Sequence, residues 1–259
     1  MGSMRGALAF LFFAGSLLAA DLAPTGTLRA AFLGANPVQG HVDAQTGAIT
    51  GPVADIVKEM ARKLGVPYKI IPAAGATGVI GLLHSHQADI GFLAYDEVRA
   101  KEVDFAGPYA LMYNTYLVPN DSSIKKSADA DRAGVTIGAV RGQTQEVFLR
   151  GNLKSGEVKL YETQPPQPEL ERLLVSGELQ AFAANRQRME DAAGKSTRLR
   201  ALTDNFLVVI QQIVVEKGDP AKLAQIDSLI DEMRTSGLIK ASLERAKIAG
   251  VDVAPAGSK

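Results

Sequence analysis

Cysteine and tryptophan are both absent from the 259 residues. Without thiols there is no disulfide framework, no thiolate nucleophile and no cysteine-built zinc site. Histidine is nearly missing too: His41, His84 and His86 are the whole supply, which argues against a histidine-rich metal centre. Excess charge is also lacking, with 28 basic against 28 acidic residues, so nothing electrostatic points to nucleic acid. Aromatic residues are only 6% of the chain, which limits ring stacking in any ligand pocket. No Ser-His-Asp set and no Gly-x-x-x-x-Gly-Lys phosphate loop is present. Neither a cofactor nor a metal is expected.

What is present begins with Arg5 and an apolar run from Ala7 to Ala20. At about fourteen residues it suits the core of a signal peptide and is too short to span a bilayer as a helix. Ala19 and Ala20 offer small residues for cleavage before Asp21. The expectation is a signal peptide over 1–20 and an exported, periplasmic chain. No cysteine follows the run, so a lipoprotein anchor is excluded.

Beyond residue 20 the pattern alternates. Thr27–Leu33 reads as a strand, and Val53, Ile56, Val57, Met60, Ala61 and Leu64 follow helical spacing up to a stop at Gly65. Strands over Tyr68–Pro72 and Asp89–Leu93 flank a short helix over Val79–Leu83. Two long β-like runs, Ala110–Val118 and Phe206–Val215, enclose a second alternating unit. Its strands are Val135–Val140, Val158–Tyr161 and Leu179–Ala184, and its helices begin near Thr144, Glu169 and Arg186. Leu223, Ile226, Leu229, Ile230 and Met233 then mark an amphipathic helix, with a last helix over Leu238–Ala246. Alternation of this kind predicts an α/β fold with mostly parallel pairing. Two crossings around an inserted unit predict two lobes joined by two strands: 21–112 and 211–250 for lobe 1, 113–210 for lobe 2, and a disordered tail over 251–259. A cleft between lobes joined in this way is a natural ligand site.

Several segments, in order, carry a resemblance: Gly26-Thr27-Leu28-Arg29, Asn36-Pro37, Gly51 through Leu64, Gln87-Ala88-Asp89-Ile90, and Arg99 through Tyr109. Gly142-Gln143-Thr144, Ser176-Gly177-Glu178, Lys217-Gly218-Asp219 and Met233 through Gly237 continue it. The chain is similar to bacterial extracellular solute-binding proteins of family 3, the substrate-binding proteins of polar amino acid ABC transporters. That resemblance implies a two-lobed, type II periplasmic binding protein fold with a two-strand hinge. It also implies a monomer that is not an enzyme, closes on a small ligand and serves an ABC permease in the inner membrane.

It further implies that Arg99 grips a ligand carboxylate. Chemistry agrees, because a guanidinium presents paired donors and stays charged when desolvated; the alternative is a surface ion pair with Glu102 or Asp104. Gly142-Gln143-Thr144, between a strand and a helix start, offers unpaired amides to the same anion, or is simply a helix cap by Gln143 or Thr144. Asp96 is expected to cap a short helix from Glu97, with its own amide or that of Ala94 open to ligand. His41 lies in a loop that the resemblance places at the cleft. His84 and His86 read as an exposed turn.

The departures carry information as well. Where relatives place an Asp for the ligand ammonium, this chain has Asn185, an acceptor without charge. Either the ligand lacks an α-ammonium, or Glu162 or Asp96 supplies the charge. Val38 replaces a usual aromatic, and another is missing near Ala74–Ala76, which points away from Arg, Lys or His as ligand. The rival readings are a cyclohexadienyl dehydratase-like enzyme on the same scaffold, with Glu162 as general acid, and a protein that delivers its ligand to a membrane sensor.

Overall fold

The computed structural model describes residues 22–36, 38–247 and 250–258. The expected signal peptide and Pro37 of the Asn36-Pro37 landmark lie outside the described residues. By their contacts the described residues divide into two units: one holds those up to Ala110, 210–247 and those from Asp252 on, the other Leu111–Val209 and 250–251.

The first unit is built on β1 (Leu28–Leu33), in which Leu28, Ala30, Ala31 and Phe32 are buried. A hairpin of β2 (His41–Val42) and β3 (Ile49–Thr50) leads into α1 (Pro52–Leu64). The apolar stripe expected on α1 is buried along its whole length. Pro52 sits in the first turn, where a missing amide costs nothing, and Gly65 ends the helix with φ 70°. Strand β4 (Tyr68–Ala73), α2 (Ala76–His84) and β5 (Ile90–Ala94) follow, and β4 and β5 run parallel to β1 on its two sides. A long strand, β6 (Val103–Pro119), then leaves this unit for the next.

Two of the landmark segments hold this sheet together. Arg29 donates from Nε and Nη2 to the two oxygens of Asp89, at 3.0 and 2.6 Å, and its backbone amide donates to the same carboxylate at 2.8 Å. A bidentate pair of this kind fixes register as well as charge.

The second unit carries β7 (Thr136–Val140), α3 (Thr144–Asn152), β8 (Glu157–Tyr161), α4 (Gln167–Val175), β9 (Ala181–Asn185), α5 (Arg186–Gly194) and β10 (Leu199–Ala201). β7 pairs in parallel with β8 and β9, while β6 runs antiparallel to β9 and β10. One core gathers Tyr116, Ile137, Ala139 and Leu149, the other Leu170, Leu173, Leu174, Phe182 and Met189. Each fully buried leucine, isoleucine, phenylalanine or methionine among them contributes roughly 1.5–3 kcal/mol. In the polar stretch 125–131 the Asp131 carboxylate anchors a loop, accepting the amides of Lys154, Ser155 and Gly156.

The chain returns to the first unit in β11 (Leu207–Glu216), antiparallel to β5. Then come α6 (Pro220–Thr235), capped by Asp219 through the Lys222 amide, and α7 (Leu238–Ala246). A disordered tail was expected over 251–259. Instead β12 (Val251–Val253) pairs with β6, the Ala254 amide donates to the Tyr109 carbonyl, and Arg234 Nη1 donates to the Pro255 carbonyl at 2.6 Å. The polar composition hid this because backbone groups and one buried arginine, rather than apolar side chains, make most of the bonds.

Candidate functional site

In the first unit, Ala94 ends β5 and Arg99 opens a single 3-10 turn, Arg99–Lys101, after a short loop. The Asp96 carboxylate accepts the amides of Val98 and Arg99 at 2.9 and 3.1 Å. Asp96 thus organises the turn as expected, although the turn begins at Arg99 rather than Glu97. Arg99 Nη1 donates to the Ala94 carbonyl at 2.9 Å, and among the described residues no carboxylate pairs with this guanidinium. The alternative of an ion pair with Glu102 or Asp104 is therefore not realised; Asp104 instead accepts the Gly218 amide. Arg99, Asp96 and Ala94 form one cluster, half-buried at Arg99, with the remaining guanidinium donors available. Tyr95, exposed beside them and edge-on to Phe105 at 5.2 Å, was not singled out from sequence. His41 lies exposed on β2 opposite Thr50, and no hydrogen bond links it to the Arg99 cluster. His84 and His86 are exposed, the former against the Glu102 carbonyl and the latter beside Glu216.

In the second unit the candidates lie at the C-terminal ends of parallel strands: Gly142, Gln143 and Thr144 after β7, Glu162 after β8, and Asn185 closing β9. Ligands of open α/β sheets favour this end of the strands. Gly142 makes the turn with φ 74°, a left-handed conformation that favours glycine. The expected caps do not form: neither Gln143 nor Thr144 caps α3 with its side chain. Glu146 does the work instead, accepting the Gly142 amide at 2.6 Å and Arg150 Nε at 3.0 Å. These partners hold its carboxyl below the usual glutamate range, the Gly142 amide most of all. The Gln143 amide is used as well, by the Val140 carbonyl. The anion-binding expectation therefore narrows from the whole Gly142–Thr144 turn to the first-turn amides of Thr144 and Gln145, which have no carbonyl partner four residues back in the helix.

Glu162 accepts from Arg141 Nε at 2.8 Å and is largely exposed. Asn185 is buried at the start of α5; its Oδ1 accepts the Gln187 amide at 3.1 Å and its Nδ2 donates to the Gly250 carbonyl at 3.2 Å. Sequence reasoning missed Gln145. Buried, it donates to Asn114 Oδ1 at 2.6 Å, and Asn114 stands opposite Asn185 in the β6–β9 register. This pair ties the first turn of α3 to the strand beside Asn185. A polar residue in a helical first turn carries no sign of burial in sequence, so no signal marked it. A separate cavity of about 560 Å³ in this unit is lined by Pro119, Asn120, Arg132, Leu179, Gln180 and Arg198, toward the opposite strand ends, and holds none of these candidates. No helix of the described residues is long and apolar enough to cross a membrane.

Comparison with known proteins places this geometry in context. The L-cystine-binding protein of Escherichia coli is 27% identical over 204 residues, covering 77% of this chain and 74% of its own. A glutamine-binding protein of Geobacillus stearothermophilus is 32% identical over 115 residues, 43% of this chain and 44% of its own. Among solved structures, an ancestral cationic amino acid solute-binding protein matches with a TM-score of 0.60 at 24% identity, over 89% of this chain and 99% of its own. An ancestral cyclohexadienyl dehydratase matches with a TM-score of 0.55 at 25% identity, over 91% and 98%. The fold is that of type II periplasmic binding proteins. The model of the family described as bacterial extracellular solute-binding proteins, family 3, matches residues 28–246, and the chain belongs to that family, the binding proteins of amino acid ABC transporters.

Proposed function

We propose that this binding protein captures a small carboxylate-bearing solute that lacks an α-ammonium, and delivers it as a periplasmic monomer to an ABC permease. One observation carries the reading: Arg99 has no carboxylate partner of its own among the described residues, yet the Ala94 carbonyl and the Asp96-built turn hold it in place. A guanidinium ordered in this way is pre-organised for a bidentate carboxylate. The amides of Thr144 and Gln145 are the second set of donors proposed for the same anion. A ligand that draws on groups from both units favours whichever conformation lets both reach it, so binding proceeds by hinge closure.

Acceptor chemistry supports a ligand without the ammonium. The ligands named for the relatives, L-cystine and glutamine, carry one. Here Asn185 brings no charge, Glu162 is matched by Arg141, and one oxygen of Asp96 already accepts two backbone amides. An ammonium enclosed without an anion loses several kcal/mol of compensation, on the order of its desolvation penalty. A thermal-shift screen tests this: plain carboxylates should raise the melting temperature more than α-amino acids do. A standard amino acid that binds tightly through its ammonium would overturn the reading, and an absence of compaction in solution scattering at saturation would remove hinge closure.

The likeness to an ancestral cyclohexadienyl dehydratase supports a second reading, an enzyme acting on carboxylated rings. It needs a general acid at the leaving group. Glu162, exposed and paired with Arg141, is poorly placed to hold a proton away from water. Turnover of prephenate or arogenate by the purified protein would establish the enzyme instead. Delivery to a membrane sensor rather than a permease rests on the same binding step.

A further inference from the structure

The C-terminal segment meets the Asn185 position through a single residue. Gly250 donates its amide to Gln187 Oε1 at 2.7 Å, and its carbonyl accepts from Asn185 Nδ2 at 3.2 Å. Asn185 Oδ1 in turn accepts the Gln187 backbone amide at the start of α5, so the Asn185 carboxamide is held at both its ends while the Gln187 carboxamide meets the same Gly250. Together they present one acceptor and one donor. The group they grip is an N–Cα–C=O unit, the skeleton of an α-amino acid.

The fit admits only glycine. Gly250 has φ 67°, and a β-carbon there would overlap the Asn185 carboxamide. The chain beyond it is anchored: Val251 is buried in β12, and the Ala254 amide is bonded to the Tyr109 carbonyl.

We infer that Gly250 is an internal α-amino acid mimic that occupies an Asn185–Gln187 subsite and sets ligand selectivity. The inference rests on the proposed reading of Asn185 as part of the ligand site. While Gly250 is docked, the Gln187 acceptor that would take an ammonium is filled, and so is the Asn185 donor beside it. A tethered occupant competes at an effective concentration of about millimolar or more, and an anchored strand raises it further. A free α-amino acid must displace it to use the subsite. A carboxylate without an amino group has no need to.

The test compares matched probes on the full chain by calorimetry: L-glutamine against glutaramate, L-glutamate against glutarate, and L-alanine against propionate. Wild type should favour the amino-free partner of a pair. Gly250→Val, which both strains the backbone and fills the contact, should shift that preference at least tenfold toward the α-amino acid. Gln187→Ala, an exposed change that spares folding, should loosen Gly250 and make its amide exchange faster. In wild type, that amide should exchange faster on addition of the α-amino acid but not of its amino-free partner. A preference unchanged in Gly250→Val, while Arg99→Ala still weakens binding at least tenfold, overturns the inference and leaves the carboxylate reading standing. Binding of none of the probes by any form overturns both.

Discussion

The Gly142 amide donates to Glu146 Oε2 at 2.6 Å, so the turn that opens α3 already holds a carboxylate supplied by its own helix. The bond satisfies one donor at the helix start and places negative charge at the positive end of the helix dipole. It also sets a pH dependence. Because the Gly142 amide, and after it Arg150, hold the Glu146 carboxyl below its usual value of 4.5, the folded state binds this proton less readily than the unfolded chain does. The stabilisation is therefore complete above that usual value and lost as pH falls through the lower folded one. Thermal unfolding of wild type and Glu146→Gln should differ near neutrality and converge in acid, once pH has fallen through the lowered folded-state value. A constant difference across that range would assign the effect to packing.

Arg99→Ala should weaken binding of the carboxylate ligand by about 1.5–3 kcal/mol, roughly ten- to 150-fold, the range for hydrogen bonds to charged groups. Arg99→Lys should recover only part of it, since an ammonium cannot make the paired contact. The melting temperature of the unliganded protein should hardly move, because Arg99 makes one side-chain bond, to the Ala94 carbonyl. Unchanged affinity in Arg99→Ala would remove this residue from the site.

The buried pair Gln145–Asn114 should behave as a unit. Gln145→Leu leaves Asn114 Oδ1 without this donor and should cost about 1–3 kcal/mol in chemical denaturation. Replacing both with leucine should cost less than the sum of the single changes, the mark of a coupled pair. Strict additivity would show that each side chain finds another partner.

For the Arg29–Asp89 clamp, the Asp89 side chain is only 2% exposed. Arg29→Leu strands a buried carboxylate and should destabilise the protein by about 3 kcal/mol or more. Adding Asp89→Asn to that variant should restore part of the loss. A single variant as stable as wild type would mean that water reaches Asp89 and replaces the arginine.

Much of the architecture could be read from periodicity, because apolar spacing is the direct trace of burial. The stripe Val53, Ile56, Val57, Met60, Ala61 and Leu64 is buried as spaced, and the strand–helix order follows the alternation of the sequence. What escaped is held by polar bonds. β12 is fixed by backbone pairing and by Arg234, the hairpin at His41–Val42 and Ile49–Thr50 is only two residues deep on each side, and Gln145 is buried through one amide. At the candidate site, residue identity pointed to Arg99 but not to its Ala94 partner, and it offered Gln143 or Thr144 as the α3 cap where Glu146 takes the Gly142 amide instead. The landmarks of the resemblance divide in the same way. Arg29 and Asp89 are scaffold, so they report ancestry without reporting what is bound.

The passages at Ala110–Leu111 and Val209–Ile210 have a consequence for how the molecule comes into being. Nearly all of the second unit is uninterrupted in sequence, so a growing or emerging chain can close it early, with local contacts that fold fast. The first unit must wait. Its β5 stays an open, adhesive edge until β11 arrives, and β6 lacks β12 until Val251–Val253 follow. A chain halted just after Val209, before β11 is complete, would carry one nearly finished half and one sticky one, and helpers that shield unpaired strands would be needed for the first half alone.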